Sequence, residues 1–364
     1  CHYCDFHFST NQSRKADMAD AICTEIKLRR DYLDTPRLET IYFGGGTPSL
    51  LTTPQLARVF DTIYQCFSVD ANAEVTLEAN PDDLTKENLR RLRGSPVNRL
   101  SIGIQSFHEP HLRYMNRVHN AVEAENCVKN AQNAGFENLT IDLIYGIPHS
   151  DHSAWESDLQ KALACQVPHI SAYCLTIEPQ TVFGRRVKQQ KMPNVDEDFG
   201  AVQFEMLVET LEVAGYEQYE ISNFAQNGQY ARHNSGYWLQ KHYLGVGPSA
   251  HSFNGHSRHA NVANNAVYLK AISQGEIAQT TENLSTTDQI NDYLLTSLRT
   301  RWGTDLAYIR NRWQHGLQAT NSAYLQKALA SNWLTLRENT LHLTKPGKLF
   351  ADEITAALLV INRL

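Results

Sequence analysis

Thr40-Ile41-Tyr42-Phe43-Gly44-Gly45-Gly46-Thr47-Pro48-Ser49 is a stretch in which a short apolar strand runs directly into three glycines. A helix is predicted to begin just after it, with Thr53 as N-cap and Pro54 at the first helical position. The glycine run lacks the Gly-Lys-Ser/Thr of a phosphate loop, and Ser49 stands where a dinucleotide fingerprint has its third glycine. Three glycines instead allow backbone amides and carbonyls to approach a small amino-acid-like ligand closely.

The same order of strand and helix repeats along the first half of the chain. The predicted strands are 40–43, 74–78, 99–105, 139–145 and 170–175, and each is followed by a helix. Repeated βα units favour a parallel sheet in an α/β fold. With a further strand and helix expected before Cys1, the pattern predicts a partial barrel of the (β/α)6 type. A doubly wound sheet remains the alternative.

Three regions are predicted, because the βα rhythm stops after Glu178. They are a barrel core over 1–178, a barrel extension and linker over 179–280, and a winged-helix-like α+β domain over 281–364. The second region is expected to contain a polar loop over 179–196 and an irregular segment over 219–261. In the third region, helices followed by a hairpin at 333–336 and 341–344 give the order of a winged helix. From Ser285 onward the chain has nine basic and six acidic residues, which is too balanced to argue for DNA binding.

Composition excludes several classes of protein. The chain is 42% hydrophobic and 20% charged, with a net charge of -6, so it has no general attraction to nucleic acid, and no nucleic-acid partner is expected. No apolar run approaches the roughly 18 residues of a membrane span. Five cysteines are scattered singly, which is unlike a secreted disulfide framework and indicates a cytoplasmic location; they are Cys23, Cys66, Cys127, Cys165 and Cys174.

Cys1 and Cys4 are the two cysteines that look like metal ligands. They enclose His2 and Tyr3, and two thiolates at this spacing can hold one metal centre. From these residues alone a zinc knuckle, or a pair of idle thiols, is the favoured interpretation. A longer cysteine motif with its first member before Cys1 is the other.

Polar residues cluster at the carboxyl ends of the predicted strands. The glycine turn follows the first strand, Glu78 ends the second, Gln105 ends the third, and Asp142 lies inside the fourth. In a parallel barrel these ends converge on the functional face. A carboxylate in an apolar strand is costly without a partner, so Asp142 is expected to face a ligand. For each residue singly, a capping or loop-fixing role is the alternative.

Together with the cysteine pair, these features resemble the radical S-adenosylmethionine (SAM) superfamily. Cys1 and Cys4 would be the second and third ligands of its Cys-x3-Cys-x2-Cys motif, with the first ligand four residues before Cys1. The resemblance implies a 4Fe-4S cluster, SAM bound at the open iron through its amino and carboxylate groups, and a low-potential electron donor. With this resemblance, an iron-sulfur cluster replaces zinc as the favoured interpretation of Cys1 and Cys4.

Longer motifs resemble the oxygen-independent coproporphyrinogen III oxidase group of this superfamily. The matching motifs are Tyr42–Ser49, Glu78–Pro81, Ser101–Phe107, Asn116–His119 and Asp142–Pro148. The resemblance covers nearly the whole chain, and it implies SAM contacts at Tyr3, Gly45, Gly46, Thr47, Glu78, Gln105, Arg117, Asp142, Thr176 and His251. Arg117 can clamp a carboxylate with two hydrogen bonds, while Gln105 and Asp142 can bind ribose hydroxyls.

Two details distinguish the subgroups. The oxidases have a further cysteine where this chain has Phe6, and His233-Asn234-Ser235-Gly236-Tyr237-Trp238 is similar to the His-Asn-x-x-Tyr-Trp of the HemW-type haem chaperones. That resemblance implies a protein that binds haem as cargo and delivers it to respiratory proteins. His233 is the candidate haem residue, with a hydrogen-bonded structural histidine as the alternative.

Other functions stay open from the sequence. The oxidase itself, acting on a porphyrinogen, is the alternative to the chaperone, and whether the chain is an enzyme is therefore undecided. A zinc-dependent or DNA-binding winged-helix protein is a third class. Peripheral association with a membrane is also open.

Overall fold

A seven-stranded sheet forms the centre of the computed structural model, which describes residues 1–7, 9, 12–35 and 37–361. Its strands are β1 (Arg37–Phe43), β2 (Ser68–Ala79), β3 (Arg99–Gln105), β4 (Asn138–Tyr145), β5 (His169–Cys174), β6 (Glu217–Glu220) and β7 (Asn223–Ala225). Strands β1 to β5 pair in parallel and in chain order. The sheet continues with β7 and then β6, both antiparallel to their neighbours. Because a doubly wound sheet reverses its strand order at a switch point, this unbroken order confirms the partial barrel.

Helices accompany the strands, and most of them cover the outer face of the sheet. They are α1 (Lys15–Leu28), α2 (Thr53–Cys66), α3 (Lys86–Arg93), α4 (Glu109–Tyr114), α5 (Ala121–Asn133), α6 (Ser153–Ala164), α7 (Val182–Lys188) and α8 (Glu197–Val213). The N-cap of α2 is Thr52 rather than Thr53, since the Thr52 hydroxyl accepts the N–H of Gln55 in a capping box. The predicted loop over 179–196 is wrong in part: α7 forms there, capped by the Thr181 hydroxyl.

Side chains alternate between the two faces of β1 to β5, and the two faces differ in polarity. The outer face is apolar and packs in the main core. The inner face is polar; it carries Thr40, Tyr42, Glu74, Thr76, Glu78, Arg99, Ser101, Thr140, Asp142, His169 and Ser171. Buried polar groups require partners, so this inner face must be closed by other polar elements or by ligands.

The region after α8 is more regular than predicted. It contains α9 (Arg232–Trp238), β8 (His251–Phe253), β9 (Ser257–Asn261), α10 (Asn265–Ser273) and β10 (Gln279–Asn283). Strands β8, β9 and β10 form a separate sheet in the order β10-β9-β8. This sheet and α10 are joined to α1 through the buried carboxylate of Glu25, which accepts the Gly247 N–H at 2.8 Å, the Asn261 amide at 2.7 Å and the Tyr268 hydroxyl at 2.7 Å.

The C-terminal region has a hydrophobic core of its own. Its elements are α11 (Thr286–Ser297), β11 (Thr304–Asp305), α12 (Leu306–Trp313), α13 (Leu317–Thr320), α14 (Ser322–Ala330), β12 (Leu334–Arg337), β13 (Thr340–Leu343) and α15 (Ala351–Leu358). The predicted hairpin turns at Glu338, whose φ is 56°, and the sheet order is β11-β13-β12. The domain boundaries at 178 and 280 stay predictions, as does the strand before Cys1. Across the described ranges, no helix is both long and apolar enough to cross a membrane.

Candidate functional site

Glu78 holds the glycine turn at the carboxyl end of β1. The Tyr42 hydroxyl donates to Glu78 Oε1 at 2.6 Å, and the Gly45 N–H donates to Oε2 at 3.2 Å. Burial raises the pKa of Glu78, and these two hydrogen bonds oppose the rise because they favour the charged form. Gly45 has a φ of 74°, and a Cβ at Gly45 or Gly46 would meet no described atom within 4 Å. The turn is therefore fixed on one side and open on the other.

Arg117 is fixed between the ends of β2 and β3. Its Nη2 donates to Asn80 Oδ1 and to the Gly103 carbonyl, both at 2.7 Å, and its Nη1 donates to Cys1 Sγ at 3.3 Å. Its Nε is buried and has no hydrogen-bond acceptor in the described part of the chain. Gln105 ends β3 with a φ of 70°, and its amide nitrogen would lie 2.9 Å from a Cβ at Gly103. One guanidinium donor thus remains available beside a cysteine.

Tyr3 lies beside the same guanidinium, and Asp142 is close enough to Tyr3 to act on it by charge. Tyr3 packs against an apolar cluster that includes Leu112 and Phe183. Burial raises the pKa of Tyr3, which also senses the charges of Arg117 and Asp142. The Ser101 hydroxyl donates to Asp142 at 3.3 Å. Burial raises the pKa of Asp142 to about 7, and the nearby charge of Glu78 adds to the rise. The fold therefore brings these four predicted side chains, Tyr3, Glu78, Arg117 and Asp142, to one rim of the sheet.

The cysteine segment is attached to this rim through its backbone. The His2 N–H donates to the Met115 carbonyl at 3.0 Å, and the His2 carbonyl accepts the Phe183 N–H at 3.0 Å. Cys1 is exposed and Cys4 is half-buried, and both are free thiols. Free thiols beside an unused guanidinium donor and an open glycine turn fit a metal cluster together with a ligand that carries a carboxylate.

Two predicted residues stand apart from this set. Thr176 is exposed after the end of β5, and His251 is exposed on β8, in the three-stranded sheet. Among the residues that the structure describes, no side-chain hydrogen bond joins either of them to the rim. Thr47 is half-buried and is the N-terminal flanking residue of the short 3-10 helix Pro48–Leu50.

His233 in α9 connects a second motif to the rim. Its Nδ1 is hydrogen-bonded to the Thr40 hydroxyl at 2.7 Å and its Nε2 to the Tyr237 hydroxyl at 2.9 Å. The imidazole stacks on Tyr42 with ring centroids 4.8 Å apart, and burial, followed by the charge of Arg99, lowers its pKa to about 4. Both ring nitrogens are occupied as the structure stands. The contacts nevertheless run from His233 through Tyr42 and Glu78 to Gly45.

The sequence motifs did not identify the residues that hold α9 against the sheet. Buried Glu74 accepts the N–H groups of Arg232 at 3.0 Å and His233 at 2.9 Å, where a carboxylate is favoured at the helix N-terminus. Thr40 and Tyr42 bind His233 from β1. A signal was available, because Thr40 and Tyr42 in β1 and Glu74, Thr76 and Glu78 in β2 alternate with apolar residues. Such alternation in a buried strand indicates that one face of the sheet is a polar interior.

Comparison with known proteins gives a consistent result. Residues 1–162 match the Radical SAM superfamily. The haem chaperone HemW of Bacillus subtilis is 32% identical over 362 residues, covering 99% of this chain and 96% of that protein. HemW of Lactococcus lactis is also 32% identical, covering 95% of this chain and 90% of that protein. Among solved structures, coproporphyrinogen III oxidase (HemN) from Escherichia coli matches with a TM-score of 0.83 at 22% identity, covering 99% of this chain and 87% of that one.

Proposed function

The chain belongs to the radical SAM superfamily and, within it, to the family of the HemW haem chaperones, and from this membership we propose that it binds haem as cargo and delivers it to respiratory proteins. We place this function in the cytoplasm. The observation that carries the proposal is the seat of α9, whose His-Asn-x-x-Tyr-Trp motif contacts the strand that leads into the glycine turn. A haem site and a SAM site would thus adjoin each other.

Membership of this superfamily implies a 4Fe-4S cluster and SAM. Cys1 and Cys4 would hold the cluster, and Arg117 would offer its unused Nε to the SAM carboxylate. The other proposed SAM contacts are Tyr3, Gly45, Gly46, Thr47, Glu78, Gln105 and Asp142, with Thr176 and His251 as further candidates outside the rim. When bound and supplied by a low-potential donor, such a cluster provides electrons at potentials down to about -700 mV.

The haem site that we propose is an aromatic cavity next to α9. It has a volume of about 540 Å³ and lies between α9 and the C-terminal helices. Its walls include Trp238, Tyr293 and Trp313, and Arg312 lies at its edge as a partner for a propionate. The lining combines these aromatic side chains with polar and charged ones such as Gln289, Asp292 and Asp305. Aromatic walls together with polar groups that fix orientation are a feature of cofactor sites. His233 is not among the residues that line this cavity. It stays the candidate haem residue from the motif, and it would have to release the Tyr237 hydroxyl and turn towards the cavity to ligate iron.

A haem titration of the anaerobically reconstituted protein tests the proposal. We expect saturable binding of one haem per chain, followed by the Soret absorption. His233→Gln should weaken binding by at least about tenfold. His256→Gln is the matched control, because His256 is exposed and lies outside both the motif and the lining of the cavity. Equal haem affinity in the wild type and the His233 variant would remove His233 from the site. Failure of the wild type to saturate would refute the proposal.

The oxidase is the second candidate, and one feature disfavours it. The position where the resemblance places a further cysteine is occupied by Phe6, whose side chain is 77% exposed. The likeness to HemN, at 22% identity, concerns the fold alone. With SAM, a reductant and coproporphyrinogen III, we expect no protoporphyrinogen. Robust conversion would establish the oxidase instead.

A further inference from the structure

Three histidines from the segments that follow β3 and β4 meet at the carboxyl rim of the sheet. His108 and His111 follow β3 at a spacing of three residues, and His149 follows β4. One nitrogen from each ring lies within 4.8 Å of the other two. The ring centroids are 4.6 Å apart for His108 and His111, and 5.6 Å apart for each of these with His149. Within the described ranges, this is the one group of three or more metal-ligand side chains at such spacing.

The burial of the three rings differs in a way that suits a metal site. His111 is 6% exposed, and its Nε2 is enclosed without any hydrogen-bond partner in the described structure. An unpaired buried ring nitrogen is costly, and a metal ion would supply the missing partner. His108 is half-buried and His149 is exposed, so the group is closed on one side and open to solvent on the other.

His149 already has the outer partner that metal-binding histidines usually have. Its Nδ1 lies 3.1 Å from the Asp151 carbonyl oxygen and 3.3 Å from the Asp151 carboxylate. The Asp151 N–H also lies 3.4 Å from this Nδ1. In the tautomer whose Nδ1 carries the proton and donates it to Asp151, Nε2 is unprotonated and can bind a metal. Lys161, whose charge acts on His108, is paired with Glu125 at 2.8 Å. The local charges therefore do not oppose a divalent ion.

Hydrogen bonds to buried side chains hold both segments in place. Buried Asp158 accepts the Ser106 hydroxyl at 2.5 Å and the Phe107 N–H at 2.7 Å, directly before His108. The Gly146 N–H, three residues before His149, donates to Gln203 Oε1 at 2.7 Å. Supporting hydrogen bonds of this kind fix ligands before a metal arrives.

We infer that His108, His111 and His149 form a second metal site, which takes one imidazole-preferring divalent ion of the zinc class and keeps its fourth position open to solvent. Three histidines with one open position are a known donor set for Zn²⁺, which binds imidazole nitrogen at roughly 2.0–2.1 Å. Nitrogens in such a tetrahedron lie about 3.4 Å apart, so the rings approach one another by about 1.4 Å at most when the ion binds. Magnesium and calcium are disfavoured because they require oxygen ligands.

An edge-to-face cluster of imidazoles without metal is the competing interpretation, and a cobalt titration separates the two. The protein used is the full chain carrying Cys1→Ser and Cys4→Ser, which removes the thiolates that would also bind the probe. Co²⁺ is the probe, because its visible absorption reports coordination and thiolate ligation would add a separate charge-transfer band. We expect one Co²⁺ per chain, no thiolate band, and displacement by Zn²⁺.

Variants locate the ion. His149→Gln is the principal change, because His149 is the most exposed residue of the three and lies outside the hydrophobic core. It should weaken Co²⁺ binding at least about tenfold. His108→Gln should do the same, and Asp151→Asn should weaken binding less than either. His256→Gln, at an exposed histidine elsewhere, should leave binding unchanged. Absence of saturable binding, or equal binding in the His149 and His256 variants, would overturn the inference.

Discussion

Replacing Tyr42 by Phe removes one hydroxyl from the contacts between α9 and the glycine turn. The lost interaction is the 2.6 Å hydrogen bond to Glu78 Oε1, while the aromatic ring keeps its stack on His233. A hydrogen bond to a charged group contributes about 1.5–3 kcal/mol. We therefore expect the free energy of unfolding to fall by about that amount. Without this donor the pKa of Glu78 should rise further, because Tyr42 favours its charged form.

The same variant should weaken SAM binding. Glu78 also accepts the Gly45 N–H at 3.2 Å, so a carboxylate that is no longer held by Tyr42 fixes the glycine turn less well. We expect the Kd for SAM, measured by equilibrium dialysis of the reconstituted protein, to rise about tenfold, which corresponds to about 1.4 kcal/mol. Tyr64→Phe is the matched control, since Tyr64 is exposed and packs only on Phe60 among the rings that the structure describes.

A double-mutant cycle with Glu78→Gln tests the contact itself. If Tyr42 acts through Glu78, the second substitution should cost little once the first is present, with a coupling energy of at least about 1 kcal/mol. SAM affinity within about twofold of the wild type in Tyr42→Phe, with unfolding data that confirm an intact fold, would refute the reasoning. If the effects of the two substitutions on SAM affinity were additive, Tyr42 would not act on the glycine turn through Glu78.

Three further changes have defined outcomes. Glu25→Ala should lower the free energy of unfolding in urea by about 3–5 kcal/mol, because it leaves Arg29 buried and unpaired; Asp17→Ala, at an exposed ion pair, should change it by less than about 1 kcal/mol. Arg117→Gln should weaken SAM binding at least about tenfold and leave haem affinity unchanged in the Soret titration; an unchanged Kd for SAM would exclude the proposed carboxylate contact. Burial lowers the pKa of His119 to about 4, so the unfolded chain takes up a proton first as pH falls below 6.5. Stability should therefore decline from pH 6.5 towards pH 4, and His119→Gln should reduce the slope by up to about 1.4 kcal/mol per pH unit in urea unfolding; an identical slope would contradict this.

Much of the barrel could be predicted from local pattern. Strand β3 was predicted with its observed bounds, and β4 and β5 were each placed within one residue, because apolar strands broken by Gly, Asn or Pro leave a strong local signal. The region after Glu178 was harder. Helix α7 was predicted as a loop because its cations conceal the apolar side chains Val182 and Phe183, and Phe183 is fully buried.

In the candidate site, some residues were likewise predicted from the sequence and others were not. Motif order singled out Glu78, Arg117 and Asp142, and the fold brings them to one rim. The partners that position them were not predicted, since a contact such as the one between Glu74 and the His233 N–H joins residues 159 positions apart. The cluster of His108, His111 and His149 was also missed, because no local sequence pattern connects the segments that follow two different strands.

The sequence by itself determined the family, the rhythm of strands and helices and the identity of the residues at the strand ends. Each of these depends on the spacing of residues that are close together in the sequence. They can therefore be inferred without knowing which segments pack against one another. Only the tertiary structure decided that the strands follow one another in unbroken order, that Tyr42 lies between His233 and Glu78, and that Arg117 keeps one donor free beside Cys1. Those facts depend on which polar groups are buried together, and that is settled only when the inner face of the sheet closes and each buried group must find a partner.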